Sequence, residues 1–314
     1  MSRPIFVCGH KCPDTDSIAA AIAYAYLQNQ IGNQAEPIRA GELNKETSFA
    51  LHYFGLEAPR LVETLPAEDQ AEKQKIILVD HNESKQCIDG IDNAQVIEVI
   101  DHHRLGDFET EGPISILFRP VGCVDTIIYG LYQCHHIEIP RQIAGIMLSA
   151  IISDTVLFRS PTTTEADKEA VRDLAKIAEV DYEKYGMEML KAGADISDYT
   201  AEKLAQNDTK EFGTGNHVFT VGQISVMDTD PINKKKADIM SALEENRRKG
   251  GYAASFLMVT DILKEDTYLW YTGCEDSLLV RAFGKKPENY SVHLPGVMSR
   301  KKQVTPFLLK AFEN

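Results

Sequence analysis

No stretch of this 314-residue sequence approaches the roughly 20 consecutive apolar residues that a bilayer-spanning helix needs, so no membrane partner is expected. The N-terminal MSRPIFVCGH has no long apolar stretch ending in a small-residue cleavage site and does not read as a secretory signal. The six cysteines, at 8, 12, 87, 123, 134 and 274, form no C-x-x-C pair. In a chain of this size they read as reduced thiols, and a cytoplasmic protein is expected. Basic residues are scarce: 33 Lys and Arg stand against 47 Asp and Glu, a formal net charge of −14. A protein that grips long nucleic acid usually shows a basic face, so no nucleic-acid partner is expected. An anionic substrate then needs metal ions or a local cation cluster to reverse the sign. Low-complexity segments and fixed-period repeats are absent as well.

What is there is ordinary for soluble domains, 43% hydrophobic and 25% charged, and the length suggests two domains. In the first half, apolar strands alternate with helical patterns. PIFVCGH reads as a strand, and DSIAAAIAYAYLQNQIG as a helix with Asp16 or Ser17 near its N-cap and Gly32 at its end. KIILVDHN and AQVIEVIDHH are β-branched runs of the buried parallel kind. VDTIIYGLYQCHH and PRQIAGIMLSAIISDT read as helices, with Pro140 suited to a first turn. This βα alternation predicts a doubly wound, mainly parallel α/β domain over 1–190. Helical pattern persists from about 165 to 194. Longer strands then follow in HVFTVGQISVM, GYAASFLMVTDIL and TYLWYTGC, with helices at 234–249 and 303–312. A boundary near 190–197 leaves a smaller α/β domain with a mixed sheet over 196–314.

Four clusters place acids or imidazoles just after an apolar strand or helix: His10 with Asp14 and Asp16, Asp80, Asp101-His102-His103, and Asp154. In open α/β sheets ligands collect beyond the carboxyl ends of the strands, so these clusters can converge at one edge. Carboxylates crowded there repel one another, and one or two divalent cations remove the conflict. Mixed carboxylate and imidazole ligands suit Mn, Co, Zn or Fe. Paired ions about 3.5–4 Å apart are a recurrent device for hydrolysing phosphate esters and anhydrides. Each cluster alone has a plainer reading: PDTDS makes a good turn and helix cap, DHH a polar loop, Asp80 and Asp154 strand-end or cap residues. Their recurrence favours metal.

Elsewhere, Cys134-His135-His136 reads as a solvated helix end, and His52, His217 and His293 stand singly. GTG at 213–215 reads as a hairpin turn, since no helix start follows it. Lys210 in NDTKEF and the run Arg300-Lys301-Lys302 in SRKKQ are, on their own, ordinary surface cations. They are also what an acidic protein needs to clamp phosphate.

GHKCPDTDS, VDHNE, DHH, SAIISDT and SRKKQ, in this order and spacing, resemble the motifs of the family II inorganic pyrophosphatases of the DHH phosphoesterase superfamily. The resemblance covers essentially the whole chain. It implies a DHH catalytic domain and a C-terminal DHHA2-type substrate-binding domain with the active site in the cleft between them. It also implies hydrolysis of pyrophosphate to two phosphates by a hydroxide activated by two metals, and a homodimer. His10 and Asp14 would bind one ion, Asp16, His102 and Asp154 the other, with Asp80 between them. His103, Lys210, Arg300 and Lys301 would act on the substrate, and Asp101 would support the site from behind. The implied cofactors are two Mn²⁺ per subunit, with Co²⁺ or Mg²⁺ as substitutes and additional Mg²⁺ arriving with pyrophosphate. One position departs from the pattern: Cys12 stands where the family motif usually has Asn. The rival within the superfamily is a short-chain exopolyphosphatase or an oligoribonuclease. The nucleic-acid enzymes usually carry a GGGH-type motif, and SRKKQ stands in its place here. A non-catalytic metal- or phosphate-binding protein is the rival of another class. Arg300 and Lys301 are expected to serve the substrate and not the fold.

Overall fold

A computed structural model describes residues 3–67, 73–110, 112–215 and 217–313. The chain divides into two compact units, Met1–Phe158 with Thr162–Ala192, and Arg159–Pro161 with Gly193–Asn314.

The first unit contains, in order, β1 (Ile5–Cys8), α1 (Thr15–Gln30), β2 (Ala35–Arg39), α2 (Lys45–Phe54), β3 (Arg60–Leu61), β4 (Gln74–Val79), β5 (Ala94–Asp101), β6 (Ser115–Phe118), α3 (Val124–His135), α4 (Arg141–Thr155) and α5 (Glu165–Ala178), with α6 (Tyr182–Gly193) running to its boundary. The six strands pair in the order β3-β2-β1-β4-β5-β6, all parallel. Successive side chains of a strand face opposite ways. Val7, Ile77, Val79 and Ile100 therefore enter one core with α1, α2, α3, α4 and α5. Cys8, Ile76, Leu78 and Val99 enter a second core, covered by the β4–β5 and β5–β6 connections through Ile88, Ile91, Phe108 and Ile114. Connections thus run over both faces, as double winding requires. On the second face they are short 3₁₀ turns, Ser84–Gln86 and Ile91–Asn93, and loops. β1 and β4 are neighbours although β2 and β3 intervene in sequence, so the topological switch lies between them.

Some local expectations shift. α1 starts at Thr15 and its cap is Asp14, whose Oδ1 accepts from the Ser17 amide at 2.9 Å; Asp16 and Ser17 are already helical. That helix ends at Gln30, before Gly32. Pro140 caps α4 with extended ψ and is not in the first turn. Gly9 is required because α1 lies almost against it: a Cβ there would come within 1.8 Å of Ser17 Oγ.

The second unit contains α7 (Ala201–Ala205), β7 (Lys210–Thr214), β8 (His217–Val226), α8 (Asp230–Lys234), α9 (Lys236–Gly250), β9 (Ala254–Asp261), β10 (Asp266–Thr272), α10 (Asp276–Phe283), β11 (Ser291–Pro295) and α11 (Thr305–Glu313). Its sheet is mixed, in the order β11-β10-β9-β8-β7, with β8 and β9 parallel and the other pairs antiparallel. Every residue of β9 is buried, because α10 and α11 cover one face of the sheet and α7, α8 and α9 the other. Gly213 to Gly215 lie where β7 turns back toward β8. The last helix begins at Thr305, not 303, because Arg300–Val304 forms a π turn ahead of it.

Candidate metal centre

The carboxyl ends of β1, β4 and β5 lie side by side, so the segments that follow them deliver their side chains to one edge. His10 Nε2 lies 3.5 Å from Asp14 Oδ2 and 3.4 Å from Asp80 Oδ2. His102 Nε2 lies 3.2 Å from Asp80 Oδ1, 3.5 Å from Asp154 Oδ2 and 3.6 Å from Asp16 Oδ2. Asp80 therefore turns one oxygen to each imidazole. Its backbone is left-handed, φ +60°, which bends the chain sharply at the end of β4, and aspartate tolerates this better than most residues. Asp154 comes from the last turn of α4, which stops at once: Val156, Leu157 and Phe158 all have positive φ. Three consecutive left-handed residues, one of them β-branched, are a strained stop of the kind that clusters at functional sites.

Ring orientation is fixed from behind. His10 Nδ1 donates to the Lys11 carbonyl at 2.7 Å and His102 Nδ1 to the Val121 carbonyl at 3.1 Å. In the neutral rings this leaves the Nε2 lone pairs aimed at carboxylate oxygens, an arrangement that calls for a positive charge between them. Both oxygens of Asp80 are buried and accept no hydrogen bond of ordinary geometry among the described residues. Burial holds the Asp16 carboxyl well above its usual range, reinforced by the charges of Asp80, Asp154, Asp125 and Asp14. Divalent cations fit this donor set. His10, Asp14 and Asp80 can bring ligand atoms within 4.8 Å of one another, as can Asp80, Asp101, His102 and His103, and also Asp16, Cys123 and Asp154. The first two groups share Asp80.

Asp101 sits beneath. Its Oδ1 accepts from the amides of His102 and His103, at 2.7 and 3.0 Å, and from His103 Nδ1 at 2.8 Å. Its Oδ2 accepts from Asn82. Burial works against its ionisation, yet the hydrogen bond and charge of His103, with help from Asn82, pull its carboxyl down to about 2. It is thus committed to orienting DHH. The Cys123 thiol, pushed well above its usual range by burial, donates to Asp16 Oδ1 at 2.9 Å, and Val124 N donates to Asp16 Oδ2 at 3.0 Å.

In the second unit, Lys210 opens β7 opposite Val221 of β8. The Val221 carbonyl accepts from Arg300 Nη1 at 3.1 Å; the same nitrogen donates to the Asp208 carbonyl, and Nη2 donates to Asp208 Oδ1 at 3.1 Å. The backbone of Lys210 thus pairs with the strand residue whose carbonyl Arg300 holds. Arg300 is only 7% exposed, whereas its neighbour Lys301 is exposed. The expectation that Arg300 does not serve the fold is corrected here: it closes two backbone carbonyls and a carboxylate.

Comparison with known proteins decides the family. The DHH family N-terminal domain matches residues 4–151 and the DHHA2 domain residues 187–311. A Lactobacillus delbrueckii subsp. bulgaricus protein is 46% identical over 98% of both chains, and one from Bacillus cereus 45% identical over 98% of this chain and 99% of its own. Both are named probable manganese-dependent inorganic pyrophosphatase. A crystal structure from Methanococcus jannaschii, described as a putative family II inorganic pyrophosphatase, superposes with a TM-score of 0.87 at 41% identity, covering 98% of this chain and 99% of that one. The chain belongs to the family II inorganic pyrophosphatases. A Bacteroides fragilis exopolyphosphatase-related protein, at 13% identity and a TM-score of 0.51, shares the fold alone.

For this pyrophosphatase-family chain, His10, Asp14, Asp16, Asp80, His102 and Asp154 stand together, with His103 beside them. Three contributors escaped the sequence reading. Cys123 and Asn82 carry no acid or imidazole and act on residues far away in sequence. Asp125, in the first turn of α3, is fully buried with neither oxygen hydrogen-bonded among the described residues. Burial, and then the charges of Asp80 and Asp154, hold its carboxyl well above its ordinary value. A lone Asp at the start of an apolar helix gave no signal of that.

Proposed function

We propose that this chain hydrolyses inorganic pyrophosphate to two phosphates with two Mn²⁺ ions per subunit. The observation that carries the reading is the placement of Asp80, one oxygen toward His10 and Asp14 and the other toward His102, in a member of this family. His10, Asp14 and Asp80 would hold one ion; Asp80, Asp16, His102 and Asp154 would hold the other. Such a pair supplies charge neutralisation and a water made acidic enough to attack phosphorus at neutral pH. His10 and His102, with Nδ1 protons fixed by backbone carbonyls, offer Nε2 as ligand atoms. His103, held by Asp101, would face the substrate.

Lys210, Arg300 and Lys301 would offset charge on the attacked phosphoryl group. Arg300 would bring a delocalised positive charge to this, with Nη1 and Nη2 held in place by Asp208 and the Val221 carbonyl. Nη2 faces both carboxylate oxygens of Asp208, so Nε–H, backed by the guanidinium charge, would be what Arg300 offers a phosphate oxygen. Additional Mg²⁺ would enter with the substrate, and the subunit would pair as a homodimer in the cytoplasm. No helix among the described residues is long and apolar enough to cross a membrane.

The test is phosphate release from pyrophosphate, a long polyphosphate and a dinucleotide, with Mn²⁺ and Mg²⁺ compared after chelation. Strong preference for pyrophosphate with Mn²⁺ is expected. Comparable kcat/KM on polyphosphate or the dinucleotide would move the assignment to the rival phosphoesterases, and no turnover to a binding protein.

A further inference from the structure

Glu46 belongs to none of the clusters that suggested a metal centre, yet it joins two of them. It is the second residue of α2, whose start is fixed by Asn44: the Asn44 side chain accepts from the Thr47 amide at 2.7 Å. From there the Glu46 carboxylate takes two hydrogen bonds on one oxygen. Thr15 Oγ1 donates to Oε1 at 2.8 Å, and Ser153 Oγ donates to the same Oε1. Thr15 lies between Asp14 and Asp16 at the start of α1, and Ser153 immediately precedes Asp154 at the end of α4. A third contact, Thr15 Oγ1 to Thr47 Oγ1 at 3.0 Å, ties α1 to α2 a second time.

We infer that Glu46 is a positioning residue, bracing the helix start that carries Asp14 and Asp16 against the helix end that carries Asp154. The inference rests on the metal-ligand assignment proposed above. The geometry explains why a brace is needed. Asp16 and Asp154 lie on different helices, 138 residues apart in sequence, and repel each other. Each has an imidazole or amide to face, but nothing in its own helix sets the distance between the two. A single oxygen that accepts from the residue next to each of them does set it. Groups of this kind behind the ligands typically hold 10–100-fold of metal affinity.

The experiment is Mn²⁺ titration of the chelated full chain, by calorimetry or competition with a chelating dye, for Glu46→Ala, Glu46→Gln and Asp80→Ala. Glu46→Gln keeps an acceptor oxygen at the Oε1 position and should bind within about 3-fold of wild type; Glu46→Ala should weaken at least one Mn²⁺ by about 10–100-fold. Wild-type affinity in Glu46→Ala overturns the brace. So does an equal loss in Glu46→Gln, which would make the charge, not the hydrogen bonds, responsible. If Glu46→Ala does not fold, Thr15→Val with Ser153→Ala removes both arms while leaving the carboxylate, and carries the same expectation. Retention of both ions by Asp80→Ala would instead break the ligand assignment, whatever the Glu46 variants do.

Discussion

The two units hold charge in opposite ways. In the first, acids and imidazoles meet with their lone pairs facing one another, and Asp80 and Asp125 present buried oxygens that accept no ordinary hydrogen bond among the described residues. In the second, the buried cation Arg300 has Nη1 and Nη2 already engaged, by Asp208 and two backbone carbonyls. One site stays electrostatically frustrated until cations enter it. In the other, the cation is held by partners that the fold itself supplies. Substitutions in the first should therefore act through metal occupancy, and substitutions in the second through substrate and stability with the metals intact.

The sharpest break of that contrast is Asp80→Ala. Losing the residue shared by two ligand groups should exceed the 10–100-fold typical of an outer partner, giving at least about 10³-fold in kcat/KM. Metal analysis after dialysis should show both ions depleted. Wild-type-like occupancy of both would mean that Asp80 does not connect them.

Next comes Arg300. A lost charge-assisted phosphate contact costs on the order of 2–4 kcal/mol of transition-state stabilisation, about 30- to 1,000-fold in kcat/KM. Arg300→Lys should be damaging too, because a point charge cannot replace the fork. Bound Mn²⁺ should stay at the wild-type level. Stability should not: carbonyls left buried without donors cost about 1–3 kcal/mol, so Arg300→Ala should melt several degrees lower. Lys301→Ala, at an exposed position, should lose activity without that penalty. If Arg300→Ala unfolds no more easily than Lys301→Ala, the fold does not depend on the guanidinium.

A smaller effect comes from Asp125 in chelated protein. Its carboxyl is held well above the usual value, by burial first and then by Asp80 and Asp154. The folded state keeps this proton at pH values where the unfolded chain has released it. The resulting stability is full below the unfolded carboxylate value near 4 and is lost as pH rises through the folded one. Asp125→Asn cannot lose it. The variant's melting temperature should therefore gain on wild type between pH 5 and pH 8, and a constant difference across that range would show Asp125 to be satisfied by some other means.

The same contrast separates what could be read from the sequence from what could not. The cluster of acids and imidazoles was legible because a parallel sheet delivers the residues just after its strands to one edge, so His10, Asp80 and His102 announce themselves locally. Asp154 was legible as the polar end of an apolar helix. The supporting residues were not. Cys123, Asn82 and Glu46 act through partners from 19 to 107 positions away, and no local pattern encodes such distances. In the second unit, SRKKQ read alone is a surface run; Arg300 is buried only because β8 and the residue Asp208 ahead of β7 supply acceptors that its own segment does not contain. The strands β2, β3 and β6 went unseen for a related reason. They are short and only partly buried, and their alternation is too brief to register.

The smallest expected effect concerns Cys12, which stands where the motif resemblance expects Asn. Its backbone is left-handed, φ +54°, between His10 and Asp14. A side chain with Cβ pays about 1–2 kcal/mol in that region, and asparagine relieves part of it through local hydrogen bonding. Backbone conformation alone would thus favour Asn at this place, without any contact to metal. Cys12→Asn should stabilise the protein by about 0.5–1 kcal/mol, and Cys12→Gly should do no worse in the folded state while losing some of the gain to the freer unfolded chain. Mn²⁺ affinity should stay within a few-fold of wild type. The exposed thiol also gives a second readout: Cys12 should react quickly with a thiol reagent, unlike buried Cys8, Cys87 and Cys123. Bound Mn²⁺ should slow that reaction only if the turn itself tightens when the ligands on either side are engaged. A large change in metal affinity in Cys12→Asn, with no change in melting temperature, would show that position 12 acts on the metals and that backbone strain is not what selects its residue.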